Sequence, residues 1–386
     1  MGLTVAYLAG GRIRLKSGDQ PPRLIESPYA KGVQERAVRS QQRHAWKSES
    51  AGGGFLGGPM IWGKSAADGP APILTTSLAR GSGPGQLIYS LAGGSLSAVC
   101  ESDGLGAEER RLWNDNNRRI EHLHSCPAHG DLVFSVRHAN GTANIGIMFK
   151  GEPGISEVTE GDSVDTAPAW VPGHPRRVIY QSAGVGRNEQ GHFMALGPFS
   201  VQLLEVDSAE MTTLLEDPQA DYLSPRMLED GTFYFIRRPY REHAKVKPLR
   251  VLKDTLLLPF RLLFAVFQFF NFFSMRYTGR KLSTPPGTPK RDVPMEQMMI
   301  WGNLISAQAA DGEEAADLVP SSWQLIRQRA DSGEEVLARG VLAYDLSTDG
   351  TIAYSNGNAV FIRSPDGKTE RLLTERLIEQ VALVEE

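Results

Sequence analysis

The chain repeats one pattern of apolar and polar positions: a short apolar strand, a turn rich in Asp, Gly or Pro, and a second strand with an aromatic residue. Four segments show it: HLHSCPAHGDLVFS (122–135), TAPAWVPGHPRRVIYQS (166–182), LSPRMLEDGTFYFI (223–236) and LAYDLSTDGTIAYS (342–355). Their aromatic residues, Phe134, Tyr180, Phe235 and Tyr354, occupy matching positions. Alternation of this kind favours strands, and its recurrence predicts a repeat architecture.

Two further strands around a tight turn follow the first pair. The segments that show them are VQLLEVDSAEMTTLLED (201–217), WQLIRQRADSGEEVLAR (323–339) and NAVFIRSPDGKTERLLT (358–374). Short turns between alternating runs are typical of β-hairpins. Four antiparallel strands per unit, repeated radially, predict an all-β fold of the β-propeller type.

The two ends of the chain are predicted to share one blade. The last strand, IEQVALVEE (378–386), has no hairpin of its own, and the N-terminal segment begins in the middle of a unit. The predicted blades lie near 3–26 with 378–386, 51–112, 118–162, 163–220, 221–340 and 341–377. Six blades are favoured, and seven stay open because 27–58 is poorly patterned.

A second internal similarity in the sequence supports the repeat. MIWG (60–63) precedes QLIYSLAGGSLSAV (86–99), and MIWG (299–302) precedes QLIRQRADSGEEVL (324–337) at a nearly equal offset. We interpret this pair as a shared blade feature.

The units resemble the PD40, or WD40-like, repeats of TolB-type six-bladed β-propellers. The matching motifs are Pro168-Ala169-Trp170, Pro225-Arg226-Met227 with Asp230-Gly231, and Asp349-Gly350. In the blade near 118–162, His124 is predicted to take the proline position, and Gly130-Asp131 reverses the Asp-Gly dipeptide. The resemblance implies a fold, and because such folds serve many functions it implies none in particular.

The blade pattern is interrupted once, by an insert in the fifth blade. The predicted organisation is a propeller formed by 1–238 and 298–386, and an insert at 239–297. Within the insert we predict an apolar helix at about 249–276 and a Pro-rich linker at 283–294.

The insert helix has a thin polar stripe and a broad apolar face. Arg250, Asp254, Arg261 and Gln268 fall within about 40° of each other on a helical wheel, and the rest is mostly Leu, Phe, Val and Ala. About 20 apolar residues could span a bilayer. However, Arg261 costs roughly 2.5–3.5 kcal/mol there, and both ends of the insert return to one blade, so a single span is disfavoured.

The favoured interpretation is a helix that lies in the plane of a membrane surface. The predicted membrane or partner contacts are Leu256, Leu257, Phe260, Leu263, Phe264, Phe267, Phe269, Phe270 and Phe273. The predicted anionic-lipid contacts are Lys245, Lys247, Arg250, Lys253, Arg276, Arg280 and Lys281, each worth about 1 kcal/mol near an anionic leaflet. Two alternatives stay open: a helix that caps its own propeller, and one that fills a partner's hydrophobic groove.

The composition of the chain limits which classes of partner and which cellular compartment we expect. A formal charge of -4 disfavours nucleic acid, which leaves a protein or a polar ligand on the propeller face. Cys100 and Cys126 are the only cysteines, and the N-terminal run lacks the basic and apolar regions of a secretory signal. We therefore expect a cytoplasmic protein, associated peripherally with the inner face of the membrane.

Candidate chemistry is sparse. His122, His124, Cys126 and His129 could hold Zn²⁺ if the first three share one side of a strand, although the spacing matches no standard zinc motif. If the chain resembles lactonase-like propellers, a calcium site would draw on Asp162, Asp165, Asp221 and Asp345.

No catalytic residue and no cofactor are assigned, since no G-x-S-x-G motif occurs. The charged stretch 107–119 is interpreted as a solvated connection. The predicted function is a non-catalytic propeller scaffold. The alternatives are a channel-site enzyme, such as a metal-dependent hydrolase or lyase, and a soluble interaction domain with a self-capping helix.

Overall fold

The computed structural model divides the chain into two compact units, Met1–Tyr240 with Met298–Glu386, and Arg241–Gln297. It describes residues 3–50, 72–94, 96–103, 108–126, 128–152, 154–174, 176–240, 297–300, 303–306, 318–329 and 333–384. The predicted insert helix and linker lie outside the described residues and stay predictions.

Strands and one helix make up the N-terminal third of the described residues. In chain order they are β1 (Thr4–Ala9), β2 (Arg12–Ser17), β3 (Arg23–Ile25), α1 (Pro28–Ser50), β4 (Leu74–Arg80), β5 (Leu87–Gly93), β6 (Leu96–Ser102) and β7 (Glu109–Asp115). β4 to β7 form one antiparallel sheet in sequence order.

The middle of the chain forms two sheets that touch at one parallel residue pair, Ala143 with Val164. Their strands are β8 (Arg119–Ser125), β9 (Leu132–Arg137), β10 (Ala143–Met148), β11 (Ser156–Glu157), β12 (Ser163–Trp170), β13 (Arg177–Arg187), β14 (Phe193–Leu196), β15 (Ser200–Glu205) and β16 (Glu210–Leu215). One sheet has the order β8-β9-β10-β11 and the other β12-β13-β15-β16, with β14 paired to an extension of β13.

The C-terminal part completes the ring. Its strands are β17 (Ala220–Met227), β18 (Phe233–Pro239), β19 (Gln297–Ile300), β20 (Asn303–Ser306), β21 (Gln324–Arg329), β22 (Gly333–Arg339), β23 (Ala343–Leu346), β24 (Ile352–Ser355), β25 (Ala359–Arg363), β26 (Thr369–Thr374) and β27 (Ile378–Val384). The larger sheets are β17-β18-β21-β22, β23-β24-β25-β26 and β27-β1-β2-β3, and β19 and β20 form a two-stranded sheet of their own.

We number these units sheet 1 (β27-β1-β2-β3), sheet 2 (β4 to β7), sheet 3 (β8 to β11), sheet 4 (β12 to β16), sheet 5 (β17-β18-β21-β22) and sheet 6 (β23 to β26). Because β27 pairs with β1 along its length, both ends of the chain contribute to sheet 1. Fourth strands such as β16 and β26 are largely exposed, which puts them at the rim.

A buried apolar cluster fills each interface between successive sheets. Leu8 and Tyr89 belong to the cluster between sheets 1 and 2, and Val360 and Tyr7 to the one between sheets 6 and 1. Four more clusters join sheets 2 to 3, 3 to 4, 4 to 5 and 5 to 6. Within the described residues, the six sheets therefore form a closed ring. The blade number of the whole chain stays a prediction, because 51–71 and 241–296 are not described.

The aromatic residues of the repeat lie where the pattern predicts, on the second strand of each sheet. Phe134, Tyr180, Phe235 and Tyr354 belong to β9, β13, β18 and β24, and all four are buried. The hairpins that follow them are confirmed as β15-β16, β21-β22 and β25-β26.

One interpretation of the sequence is wrong: the stretch 107–119 is not a solvated connection, because β7 occupies Glu109–Asp115 and β8 begins at Arg119. The segments that follow the two MIWG motifs take different places in their sheets, since Leu87–Gly93 is a second strand and Gln324–Arg329 a third. MIWG (60–63) itself lies outside the described residues, so a shared blade feature at that motif stays a prediction.

Candidate ligand site at the centre of the ring

The first strands of sheets 3, 4 and 5 carry the same β-bulge. In each, one residue has a positive φ: His122 (53°), Ala167 (49°) and Ser224 (50°). The bulge lies opposite Phe134, Tyr180 and Phe235. In each sheet, the strand residues on the two sides of the bulge pair with the residues on the two sides of the aromatic. The buried aromatic and the local backbone kink therefore form one repeated structural unit.

This register corrects the alignment of sheet 3 with the repeat. Pro168 and Pro225 directly follow the positive-φ residue, and Leu123 takes that position in sheet 3. His124 corresponds instead to Ala169 and Arg226. The prediction that His124 replaces the repeat proline is wrong, because a one-residue shift in a bulged strand is invisible to simple spacing.

A chain of hydrogen bonds connects the sheets near these bulges. Five backbone N–H groups donate to a side chain of the neighbouring sheet: Leu78 to Gln380 Oε1 (2.8 Å), Leu123 to Ser77 Oγ (2.7 Å), Trp170 to His124 Nδ1 (3.3 Å), Ser224 to Gln181 Oε1 (2.6 Å) and Leu383 to Asp345 Oδ2 (2.8 Å). The Tyr344 hydroxyl, in sheet 6, donates to the Ser224 carbonyl at 2.7 Å. These bonds link all six sheets in order, so the first strands surround the centre of the ring.

The four candidate zinc ligands do not form a site in the structure. The bulge and the positive φ of His122 break the strand alternation, so the prediction that residues 122, 124 and 126 share one side is wrong. His124 Nδ1 already accepts the Trp170 N–H, and His129 is exposed in a turn. Among the described residues, no group of three His, Cys, Asp or Glu side chains could hold a metal ion.

Both histidines of the bulge are held neutral. Burial, with a smaller contribution from the nearby arginines Arg137 and Arg226, lowers the pKa of His122 to about 4 despite the opposing charge of Glu121. Burial, followed by the charges of Arg226 and Arg80, lowers the pKa of His124 well below its usual range. Since Nδ1 of His124 is an acceptor, its proton is on Nε2.

The four aspartates considered for calcium have separate partners. Asp162 pairs with Arg187 (2.7 Å), and Asp165 accepts a hydrogen bond from Ser182 (2.7 Å). Asp221 forms a buried ion pair with Arg238 (2.7 Å) and also accepts the Phe199 N–H. Asp345 accepts the Leu383 N–H. Each carboxylate thus serves a local contact within or between sheets.

A second candidate site is a groove of about 720 Å³ beside α1. Its apolar lining includes Ile13, Leu24 and Val38, and its charged lining includes Arg12, Glu26, Lys31, Glu35 and Arg39. Leu24 is 40% exposed. The groove therefore offers apolar surface with charges of both signs to a ligand from outside.

One carboxylate fixes the start of α1. Glu109 accepts hydrogen bonds from Ser27 Oγ (2.5 Å), the Tyr29 N–H (2.7 Å) and the Tyr89 hydroxyl (2.5 Å). Ser27 Oγ in turn accepts the Ala30 N–H at 3.0 Å and caps the helix. Because Glu109 belongs to β7, the helix is held against sheet 2.

Comparison with solved structures identifies the architecture. The crystal structure of TolB from Acinetobacter baumannii is similar to the chain with a TM-score of 0.51 and 11% identity, covering 100% of this chain and 67% of that one. The fold is a TolB-like β-propeller. A structure of the nidogen/laminin complex matches with a TM-score of 0.52 and 6% identity, covering 99% and 98% of the two chains. No protein-family model matches the chain, and no curated protein matches its sequence.

The predicted membrane contacts of this propeller lie outside the described residues. They all belong to 245–281, so they stay predictions. Within the described residues, no helix is sufficiently long and apolar to cross a membrane.

The residues of the propeller's two candidate sites differ in how clearly the sequence marks them. Ser27 followed by Pro28 is a recognisable helix start, and it could have predicted α1 within the poorly patterned segment 27–58. Arg226 lies inside the repeat motif Pro225-Arg226-Met227, but neither that motif nor any signal at Gln181 indicates a role at the centre of the ring, because those roles depend on contacts between sheets.

Proposed function

We propose that the protein is a non-catalytic β-propeller scaffold that binds a protein partner and is attached peripherally to a membrane through its insert. The observation that carries the partner-binding half is the groove beside α1, where apolar and charged side chains line one open space. Surfaces of this mixed kind suit protein partners. A propeller of the same fold occurs in the nidogen/laminin complex, which supports the same use.

Site-specific photo-crosslinking tests the groove. A photoreactive residue at Leu24, inside the groove, is predicted to give one discrete adduct of higher mass in cells. The matched control is Met211, which is 60% exposed on β16 of sheet 4. Absence of an adduct at Leu24, or the same adduct from both positions, contradicts partner binding in the groove.

The membrane half of the proposal rests on the sequence of the insert. Its broad apolar face would enter the acyl boundary, and its basic flanks would meet anionic lipid. We place the protein on the cytoplasmic, inner face of the membrane. Cell fractionation tests this location: the full chain is predicted in the membrane fraction, and a chain without 245–291 in the soluble fraction. Full-length protein in the soluble fraction contradicts it.

We also propose that the blades are PD40, WD40-like repeats. Asp230 accepts the Thr232 N–H and Asp349 the Thr351 N–H, both at 2.8 Å. The glycine after each aspartate has a positive φ, 77° for Gly231 and 87° for Gly350, which explains why the turn needs an Asp-Gly pair. Replacing Gly350 with Ala tests the assignment: strain at this φ is predicted to cost about 1 kcal/mol of unfolding free energy, and no loss contradicts it.

A further inference from the structure

One cation near the centre of the ring has no counter-charge within the described residues. The Arg226 guanidinium donates from Nη1 to the adjacent Pro225 carbonyl (2.9 Å), and its buried Nε has no hydrogen-bond partner there. By contrast, Arg238 has Asp221 at 2.7 Å and lies over the Trp323 ring at 4.7 Å. A buried donor on a charged group is costly when no acceptor meets it.

The charge of Arg226 lies near the axis of the ring. Arg226 belongs to sheet 5, yet its charge contributes to lowering the pKa of His122 and His124 in sheet 3. The same charge also contributes to the pKa of Tyr344 in sheet 6, which it lowers against the larger effect of burial. Sheet 4 lies between sheets 3 and 5 in the ring. A single charge can therefore act on residues of sheets 3 and 6 from sheet 5 only near the axis, where the first strands of the sheets converge.

Within the part of the chain that the structure describes, two further donors next to the β17 bulge have no hydrogen-bond partner. Gln181 Oε1 accepts the Ser224 N–H, which fixes the amide orientation and leaves Nε2 buried without a partner. Thr166 pairs with Gln181 across β12 and β13, so both side chains are on one face of sheet 4, and the Thr166 hydroxyl is also unpartnered. Gln181 is 0% and Thr166 1% exposed.

Among the described residues next to the β17 bulge, three donors have unused hydrogen-bonding capacity: Arg226 Nε, Gln181 Nε2 and the Thr166 hydroxyl. The Nε2–H of neutral His124 is a further donor on the first strand of sheet 3. The carboxylate of Glu121, next to His122 in the chain, is already paired with Arg119 and Arg137 at 3.0 Å each. Buried water could satisfy single donors, but it would leave the positive charge uncompensated.

We propose that the centre of the ring binds a small oxyanion, a carboxylate or a phosphate, with Arg226 as its charged contact. A planar guanidinium matches the spacing of oxygen atoms in both groups. Gln181, Thr166 and His124 supply neutral donors. The site is independent of the proposed partner-binding groove, because none of these four residues lines it.

Calorimetric titration of the full chain tests the site, with inorganic phosphate and succinate as probes in chloride buffers of equal ionic strength. At least one probe is expected to bind saturably. Arg226→Gln is expected to weaken that binding about tenfold or more, since a charge-assisted hydrogen bond is lost. Thr166→Val, which removes a hydroxyl at constant volume, is expected to weaken it several-fold.

The matched control is Arg371→Gln, an exposed arginine on the rim strand β26, which is expected to bind as the parent does. Phosphate binding alone indicates a phosphate ligand, and succinate binding alone a carboxylate. Absence of saturable binding by either probe overturns the proposal, as does equal affinity in Arg226→Gln. If Arg226→Gln does not fold, Arg226→Lys replaces it: the lysine lacks Nε and the planar fork, so unchanged affinity there also overturns the site.

Discussion

The carboxylate of Asp345 accepts a hydrogen bond from the backbone N–H of Leu383 at 2.8 Å. Asp345 lies in the first strand of sheet 6, and Leu383 lies in β27, which pairs with β1 from the other end of the chain. This bond and the apolar cluster between sheets 6 and 1 close the ring. Closure therefore depends on a contact between sheet 6 and the strand that joins the two termini.

Asp345→Ala is predicted to loosen that junction. The buried Leu383 N–H loses its acceptor, which costs about 1–3 kcal/mol. Hydrogen exchange is expected to rise first in β27, over 378–384. Asp366→Ala is the control, because Asp366 accepts only the nearby Lys368 N–H in an exposed turn. Equal effects of both changes on β27 would refute the closing role of Asp345.

Asp221→Asn is predicted to be strongly destabilising. It removes the carboxylate that pairs with the buried Arg238 cation, and breaking a buried pair costs about 3–5 kcal/mol. The exposed pair Arg176–Asp207 offers a matched control, since Asp207→Asn is expected to leave the free energy of unfolding almost unchanged. Urea denaturation gives both free energies of unfolding. Similar values for the two variants would show that burial does not distinguish the pairs.

Glu109→Gln is predicted to release the start of α1. The glutamine amide has the shape of the glutamate side chain, but it replaces the charged carboxylate that accepts hydrogen bonds from Ser27, Tyr29 and Tyr89. Charged hydrogen bonds of this kind contribute about 1.5–3 kcal/mol each when intact. Faster hydrogen exchange is expected over 28–39, with little change in sheet 5. Unchanged exchange in α1 means that Glu109 is not its anchor.

Glu379→Gln is predicted to stabilise the protein at alkaline pH. Burial raises the pKa of Glu379 to about 7, so the folded chain holds a proton that the unfolded chain releases. The stability that protonated Glu379 contributes is therefore fully present below pH 4.5 and is lost as the pH rises through 7. At pH 8.5 the glutamine variant is expected to gain about 3 kcal/mol of unfolding free energy, and at pH 4 nothing. A gain of equal size at both pH values would exclude titration of Glu379, and exposed Glu216→Gln is the control.

The fold was predictable because it is encoded locally and repeatedly. Phe134, Tyr180 and Phe235 mark second strands, and short turns mark the hairpins, so alternation alone places most blades. The helix α1 was not predicted, because a polar helix without a clear apolar stripe gives no periodic signal. Its only signal was the helix start at Ser27 and Pro28.

The candidate site at the centre was not predictable for a different reason. The bulge shifts the register by one residue, so His124 faces Trp170 of the next sheet and not a proline position. Gln181 bonds Ser224 of the next sheet, and the charge of Arg226 acts on His122 and His124 of sheet 3, in each case across a long separation in sequence. Pairings of this kind depend on how the sheets are arranged around the axis, which spacing along one chain does not encode.

Membrane attachment through the insert is the central claim of the proposed function, and vesicle co-sedimentation tests it most directly. The full chain and a chain lacking 245–291 are mixed with vesicles of neutral lipid, with and without anionic lipid. The full chain is predicted to sediment with anionic vesicles, less so at high salt because charges are screened, and the shortened chain is predicted to stay in the supernatant. If both chains stay in the supernatant and the shortened chain unfolds at a lower temperature, the insert is a cap on its own propeller and the claim is contradicted.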